Sequence, residues 1–232
     1  MSSLPRLYLV TNRRRIAGPG LLQALDQAFG AGVRLAMLRE RELEARDLLA
    51  LAKQAVARAA PFGARVVVND RLDIALLAGA AGVHLRESSV PLAEARRLMW
   101  AGALIGVSVH DEENAARAVS AGASLVLFGP VYETPGKVRY RPPQGIAALA
   151  RAARAMRSAA ARVARDSRDR ESARVPLYAI GGITPERVAE CIDAGAHGVA
   201  VMGGILTADS IPARVREYLR AIHRAVGESI ED

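Results

Sequence analysis

At 232 residues and 51% hydrophobic content, the chain has the length and apolar material for one sizeable domain; aromatics are only 4%, so Ala, Val, Leu and Ile must fill the core. Its longest apolar runs, such as residues 74–81, are too short to span a bilayer, its first residues lack the segments of a signal peptide, and its one cysteine, Cys191, excludes an internal disulfide, so a cytoplasmic protein with no membrane partner is expected. The net charge of +8 comes mostly from residues 151–174, where eight Arg face three acids with no interleaved aromatics, which argues against a nucleic-acid partner.

Strand and helix patterns alternate along the chain. Residues 7–11 read as a strand and 20–30 as a helix. A strand over 34–39 leads to a long helix over 45–60, whose Leu48, Leu49, Leu51, Ala52, Ala55 and Val56 form an apolar stripe, with Pro61 and Gly63 marking its end. Strands over 65–68 and 82–85 flank a short helix over 72–77. Pro91 marks the start of a helix that continues over 92–100. A strand over 104–107 precedes a helix over 112–120 with Asp111 as its N-cap, and residues 125–129 form the sixth strand. A long Pro/Gly-rich loop, 130–145, leads into a helix from about 146 to 165. Strands over 176–180 and 198–202 enclose a helix that opens on Thr184, Pro185 and Glu186, and the last helix covers 211–226.

Eight strand candidates with helices between them, and no early dinucleotide fingerprint, favour a closed (β/α)8 TIM barrel over an open doubly wound sheet. A single domain over 1–232 is expected, with an Arg/Ala-rich, partly flexible insertion at 151–175 and a polar tail at 227–232. In such a barrel the chemistry sits where the strands end.

Two glycine pairs stand at those ends: Gly181-Gly182 after the seventh strand and Gly203-Gly204 after the eighth. Without a Cβ, backbone N–H groups can close on an anion, and barrels often hold phosphate there. The same glycines also serve simple tight turns. Arg39 and Arg41, one residue apart after the second strand, face one side and suit an anion bidentately, while Glu40 faces away and anchors the barrel. Asn69 and Asp70 end the third strand. A carboxylate beside bound phosphate needs a cation, so Asp70 is a candidate Mg2+ ligand, with the N-cap of the next helix as the plainer alternative. Ser108 can donate to phosphate, His84 reads as a satisfied core histidine, and Lys137 in the long loop can close over an anion. No His/Cys spacing suggests zinc.

Together these residues resemble the thiamine phosphate synthase superfamily, which includes the thiazole tautomerases. The matching stretches run in order through almost the whole chain: Leu38-Arg39-Glu40, Val68-Asn69-Asp70-Arg71, Gly82-Val83-His84-Leu85, Gly106-Val107-Ser108-Val109-His110, Phe128-Gly129-Pro130-Val131-Tyr132, Thr134-Pro135 and Ala179-Ile180-Gly181-Gly182-Ile183. The resemblance implies coupling of a hydroxymethylpyrimidine diphosphate to a thiazole phosphate with release of diphosphate. It implies that Arg39, Arg41, Asn69, Ser108 and Lys137 contact diphosphate, that Asp70 holds Mg2+, that Thr134 positions substrates, and that Gly182 with Val201, Met202, Gly203 and Gly204 cradles the thiazole phosphate.

Three departures stand out. The synthase pattern after the fourth strand is Gly-Gln-x-Asp, its Asp being a second metal ligand; here it is Arg86-Glu87-Ser88-Ser89, so Ser89 weakens the Mg2+ site. Arg41 replaces a Lys, and Gly136 replaces a Thr or Ser. A thiazole tautomerase needs no metal, but its usual histidine is Pro130 here, leaving His110 or Glu133 to move protons. Synthase, tautomerase and non-catalytic phosphate binder thus stand as alternatives in that order, and a homo-oligomer is left open.

Overall fold

A computed structural model describes residues 4–16, 18, 20–133, 142–166 and 175–227. Strands and helices alternate: β1 (Leu7–Val10), α1 (Leu21–Gly30), β2 (Leu35–Leu38), α2 (Ala45–Ala59), β3 (Arg65–Asn69), α3 (Leu72–Leu77), β4 (Gly82–Leu85), α4 (Leu92–Leu98), β5 (Leu104–Val109), α5 (Glu112–Ser120), β6 (Leu125–Phe128), α6 (Gly145–Asp166), β7 (Leu177–Ile180), α7 (Val188–Asp193), β8 (Gly198–Val201), α8 (Gly203–Leu206) and α9 (Ile211–Val226). Each strand pairs in parallel with the next, and β8 closes on β1 with Leu7 opposite Val199. The expected (β/α)8 barrel is therefore what the chain forms.

Alternation along the strands sorts the core into two layers. Tyr8, Val10, Leu35, Met37, Val67, Leu104, Leu125, Leu127, Tyr178 and Ala200 fill the barrel interior. The intervening residues, such as Leu9, Ala36, Val66 and Val83, face the helices. On α2 the buried Leu48, Ala52, Ala55 and Ala59 form one stripe against that outer layer. Small alanines let the helices sit close to a sheet of Val and Leu, which is how a core poor in aromatics is filled. The N-terminal end of the barrel is tied by side chains bonded to main-chain carbonyls: Arg6 Nη1 donates to His197 at 2.8 Å, and the Tyr178 hydroxyl to Pro5.

Asp111 caps α5, accepting from the Asn114 N–H at 2.7 Å. The segment after β7 differs from expectation: Pro185–Arg187 is a 3-10 turn, α7 starts only at Val188, and Thr184 supplies no side-chain cap. Residues 151–166 continue α6 with Ala152, Ala153, Met156 and Ala159 buried, so that part of the expected insertion is packed helix; 167–174 and 228–232 lie outside the described residues. Among the described residues no helix is long and apolar enough to cross a membrane.

Candidate active site

The C-terminal ends of β1 to β5 carry the polar side chains. Arg39 continues the inward parity of Leu35 and Met37, and its backbone N–H donates to Thr11 Oγ1 at 2.9 Å. Glu40 points the other way, as its place between the two arginines predicts. It is buried, accepts from the Thr11 hydroxyl at 2.5 Å and from the Arg13 N–H at 2.9 Å, and so staples the β1 loop to β2. Burial raises its carboxyl above the ordinary value against the pull of those bonds. Arg39 is half-buried; burial lowers its pKa, and the like charges of Arg41 and Arg86 add to the effect. A guanidinium cannot give up its proton here, so Arg39 is a partly desolvated positive charge beside exposed Arg41, and an anion would stabilise it.

Asn69 ends β3 on the inward parity, only 9% exposed, and its amide makes no hydrogen bond to a described residue. Asp70 follows at φ 68, the one non-glycine residue with positive φ among the described residues. An aspartate tolerates this conformation better than most residues, and strain of this kind gathers at functional sites. The Asp70 N–H still donates to the His84 carbonyl at 2.9 Å, so the turn swings the carboxylate toward the loop after β4. There Arg86 donates from Nε at 2.9 Å and also from Nη2 to Oδ2, and the Ser89 hydroxyl donates to Oδ1. Burial would raise the Asp70 carboxyl, but Ser89, Arg86 and the charge of Arg41 together hold it below the ordinary value. Asp70 does not cap α3: Arg71 stands at that position, without a side-chain cap bond, and Asp73 pairs with Arg71 at 2.6 Å.

Both Asp70 oxygens are thus engaged by protein donors, and Ser89 adds a donor rather than a second anion. Among the described residues no group of three or more His, Cys, Asp or Glu is placed to hold a metal ion. Glu87, which would have to substitute for the missing acid, lies 3.8 Å from His110 Nε2. These residues do not fit a resident Mg2+, and no step is assigned to one.

His84 is 1% exposed and joins β1 to β5 through the barrel interior. Tyr8 Oη lies 3.2 Å from Nδ1, and Ser108 Oγ lies 3.0 Å from Nε2. Burial pushes the imidazole down to about 3, so it is neutral. No other described group accepts the Tyr8 O–H; it donates to Nδ1, and Nε2–H donates to Ser108 Oγ. Ser108 then has its own O–H free for the mouth. The ring needs space that only Gly106 leaves, since a Cβ there would lie 2.4 Å from Nδ1. His84 is the satisfied core histidine that the sequence suggests, with Tyr8 as a partner that sequence alone does not reveal.

The ends of β6 to β8 present main chain. A Cβ on Gly182 (φ +60) would lie 2.3 Å from the Glu133 carbonyl oxygen, and one on Gly181 would lie 2.7 Å from Pro130. These glycines admit the loop after β6, whose Val131 and Tyr132 N–H groups donate to the Ile180 and Gly181 carbonyls at 2.8 and 3.0 Å. Val201 is buried at the end of β8, followed by half-buried Met202. Gly203 and Gly204 form the first turn of α8 rather than a plain turn, with N–H groups that lack acceptors inside the helix. A Cβ on Gly203 would lie 3.2 Å from Arg15 Nη1, which brings an arginine that sequence reasoning passed over to this turn; one on Gly204 would lie 2.3 Å from Tyr218 Oη. His110 bonds through Nδ1 to the Gly129 carbonyl. Cys191 is buried in α7, its thiol pushed up to about 11 by burial, and takes no part in the mouth. Thr134 and Lys137 lie outside the described residues.

Residues 7–205 match the family model described as thiamine monophosphate synthase. The chain belongs to this family. It is 43% identical over 216 residues to a putative thiamine-phosphate synthase of Geobacter sulfurreducens, covering 93% of this chain and 92% of that one. It is 36% identical over 220 residues to a thiamine-phosphate synthase of Albidiferax ferrireducens, covering 94% and 93%. Its fold resembles that of a thiamine phosphate pyrophosphorylase from Pyrococcus furiosus with a TM-score of 0.79 at 24% identity, covering 96% and 97% of the two chains. That likeness extends to the barrel fold as a whole.

Proposed function

We propose that this chain is a thiamine phosphate synthase acting on two small phosphorylated substrates in the cytoplasm. It couples a hydroxymethylpyrimidine diphosphate to a thiazole phosphate. The C–O bond between the pyrimidine methylene and diphosphate breaks, and its electron pair leaves with the diphosphate oxygen. The resulting pyrimidine cation is captured by the thiazole nitrogen lone pair, which forms the new C–N bond. Nothing is oxidised or reduced, and no proton need move in either step.

The observation that carries this reading is the partly desolvated Arg39 beside Arg41, next to a nearly buried Asn69 amide that has no hydrogen-bond partner among the described residues. Charge develops on the departing diphosphate, and preorganised donors stabilise it most where water is excluded. Arg39 and Arg41 supply the charge. Asn69 and Ser108 supply directed donors, the latter oriented by His84. Gly181, Gly182, Val201, Met202, Gly203 and Gly204 offer the thiazole phosphate a site on the opposite side, with Arg15 beside it. Thr134 and Lys137 are assigned by resemblance to positioning of the substrates and to the diphosphate.

The test is direct synthesis: the purified chain is given both phosphorylated substrates, and thiamine phosphate and diphosphate are measured by chromatography. Equal amounts of the two products are expected. A folded protein that yields neither would sink the synthase reading. Isomerisation of a thiazole carboxylate phosphate in a parallel NMR assay would then replace it with the tautomerase reading, and ligand binding without turnover would point to a phosphate binder.

A further inference from the structure

We propose that Arg86 is the resident cation of this mouth, locked in place by Asp70 and Ser89, so that a diphosphate group binds there without a divalent metal ion. The inference deepens the synthase reading and rests on it for the identity of the ligand.

The two unusual residues of the loop after β4 belong to one unit. Arg86 takes the inward parity two residues beyond His84, and the Ser89 hydroxyl accepts from the Arg86 N–H at 2.7 Å while donating to Asp70 Oδ1. The Ser89 N–H returns to the Arg86 carbonyl at 3.0 Å, closing a tight turn. Serine at this place is therefore a structural joint between the turn and the carboxylate. The resemblance expects glycine at 86 and aspartate at 89. Two carboxylates side by side require a cation between them. One carboxylate with a guanidinium and a hydroxyl requires none, because Arg86 neutralises Asp70 and Ser89 satisfies its second oxygen.

The lock also leaves donors to spare. A guanidinium carries five N–H groups. Arg86 uses Nε and Nη2 on Asp70, so Nη1 and the second Nη2 hydrogen remain for a ligand. With Asp70 and Arg86 cancelling, Arg41 and an Arg39 only partly offset by Glu40 and Glu42 remain to meet a diphosphate. Mg2+ favours several oxygen ligands. At Asp70 it would compete with the guanidinium held on Oδ2 and the hydroxyl held on Oδ1, and it would add its charge beside Arg86 and Arg39.

Calorimetric titration of the full chain with inorganic pyrophosphate, in EDTA and in Mg2+, tests the idea. Binding in EDTA is expected, with Mg2+ tightening it by no more than about threefold, well short of the tenfold that one charge-assisted contact supplies. The double variant Arg86→Gly with Ser89→Asp should lose about tenfold or more in EDTA and recover in Mg2+. Arg86→Lys, which keeps the charge but not the fork, should fall between the two. Wild-type protein that needs Mg2+ to bind pyrophosphate, or that binds it in neither buffer, would overturn the proposal. That wild-type comparison decides alone if the double variant does not fold. Synthesis is scored in the same two buffers. Thiamine phosphate formed only with Mg2+ overturns this inference and leaves the function standing. Pyrophosphate bound in EDTA with no synthesis in either buffer supports the inference and overturns the function.

Discussion

The two sides of the barrel mouth are built from different material. The β2–β5 side uses polar side chains on strand backbone, broken by the left-handed turn at Asp70. The β6–β8 side uses bare main chain, and its glycines are required twice. Gly181 and Gly182 admit the loop after β6, and Gly204 admits Tyr218, before any ligand is considered. On the first side, function and fold are separable: a side chain can be cut back without touching the barrel. On the second they are fused, because the atom that would block a phosphate also collides with the protein. Substitutions on the two sides should therefore part activity from stability in opposite ways.

The sharpest separation is expected at Arg39→Ala. Charge-assisted hydrogen bonds are worth about 1.5–3 kcal/mol each, so loss of the contacts to diphosphate should lower kcat/KM by about a hundredfold. The melting temperature should hardly move, since Arg39 sits among like charges and its removal relieves their repulsion. Steady-state kinetics beside a thermal melt checks both halves. A large drop in melting temperature with kinetics preserved would reverse the assignment of the charged side.

Gly182→Ala should show the converse. A left-handed backbone costs a residue with a Cβ about 1–2 kcal/mol, and the added methyl would also press on the Glu133 carbonyl from 2.3 Å. A loss of about 2–3 kcal/mol is expected from strain and displacement together. For a chain of this size that is a fall of roughly 5–10 °C in melting temperature. Activity should decline with it. A stable variant with lost activity would mean that the glycine serves the ligand alone.

The same contrast governs what the sequence discloses. The bounds of α3, β4, α5 and α9 are legible from periodicity, caps and punctuating Gly and Pro, because local signals and tertiary packing agree there. The charged side is legible as a list of residues: Arg39, Arg41, Asn69, Asp70 and Ser108 each end a strand. Their pairing is not. Arg86 reaches Asp70 because β3 and β4 pair in register, with Asn69 opposite His84. Tyr8 reaches His84 across the barrel interior, between strands that are not neighbours, where no register argument extends. On the glycine side, α8 defies its own propensity. Two glycines in a row disfavour a helix by about 1 kcal/mol each, and burial of Ile205 and Leu206, with Tyr218 packed on Gly204, overrides it. Arg15 comes to Gly203 from the loop after β1, and nothing local announces it.

The smallest effect concerns His84, which stands between fold and function. Its imidazole titrates near 3 in the folded chain, against an ordinary 6.5. Between those values the unfolded chain binds a proton that the folded chain refuses, so stability is whole above pH 6.5 and is lost as pH falls toward 3. One unit below its ordinary value, at pH 5.5, the loss from this residue is about 1 kcal/mol. His197, also lowered by burial, adds to the loss with the same sign. His84→Gln should be less stable at pH 7, yet its stability difference between pH 7 and pH 5.5 should shrink by about 1 kcal/mol, read from urea melts at both values. Undiminished acid sensitivity in the variant would place the titration elsewhere. In the unsubstituted chain, protonation of His84 would also break its bond with Tyr8, because an imidazolium donates from both nitrogens and cannot accept from that hydroxyl. The Tyr8 hydroxyl would then have to turn away. Ser108 would still accept from Nε2–H, so the neutrality of the ring is needed for the Tyr8 side of this chain of bonds and not for the serine at the mouth.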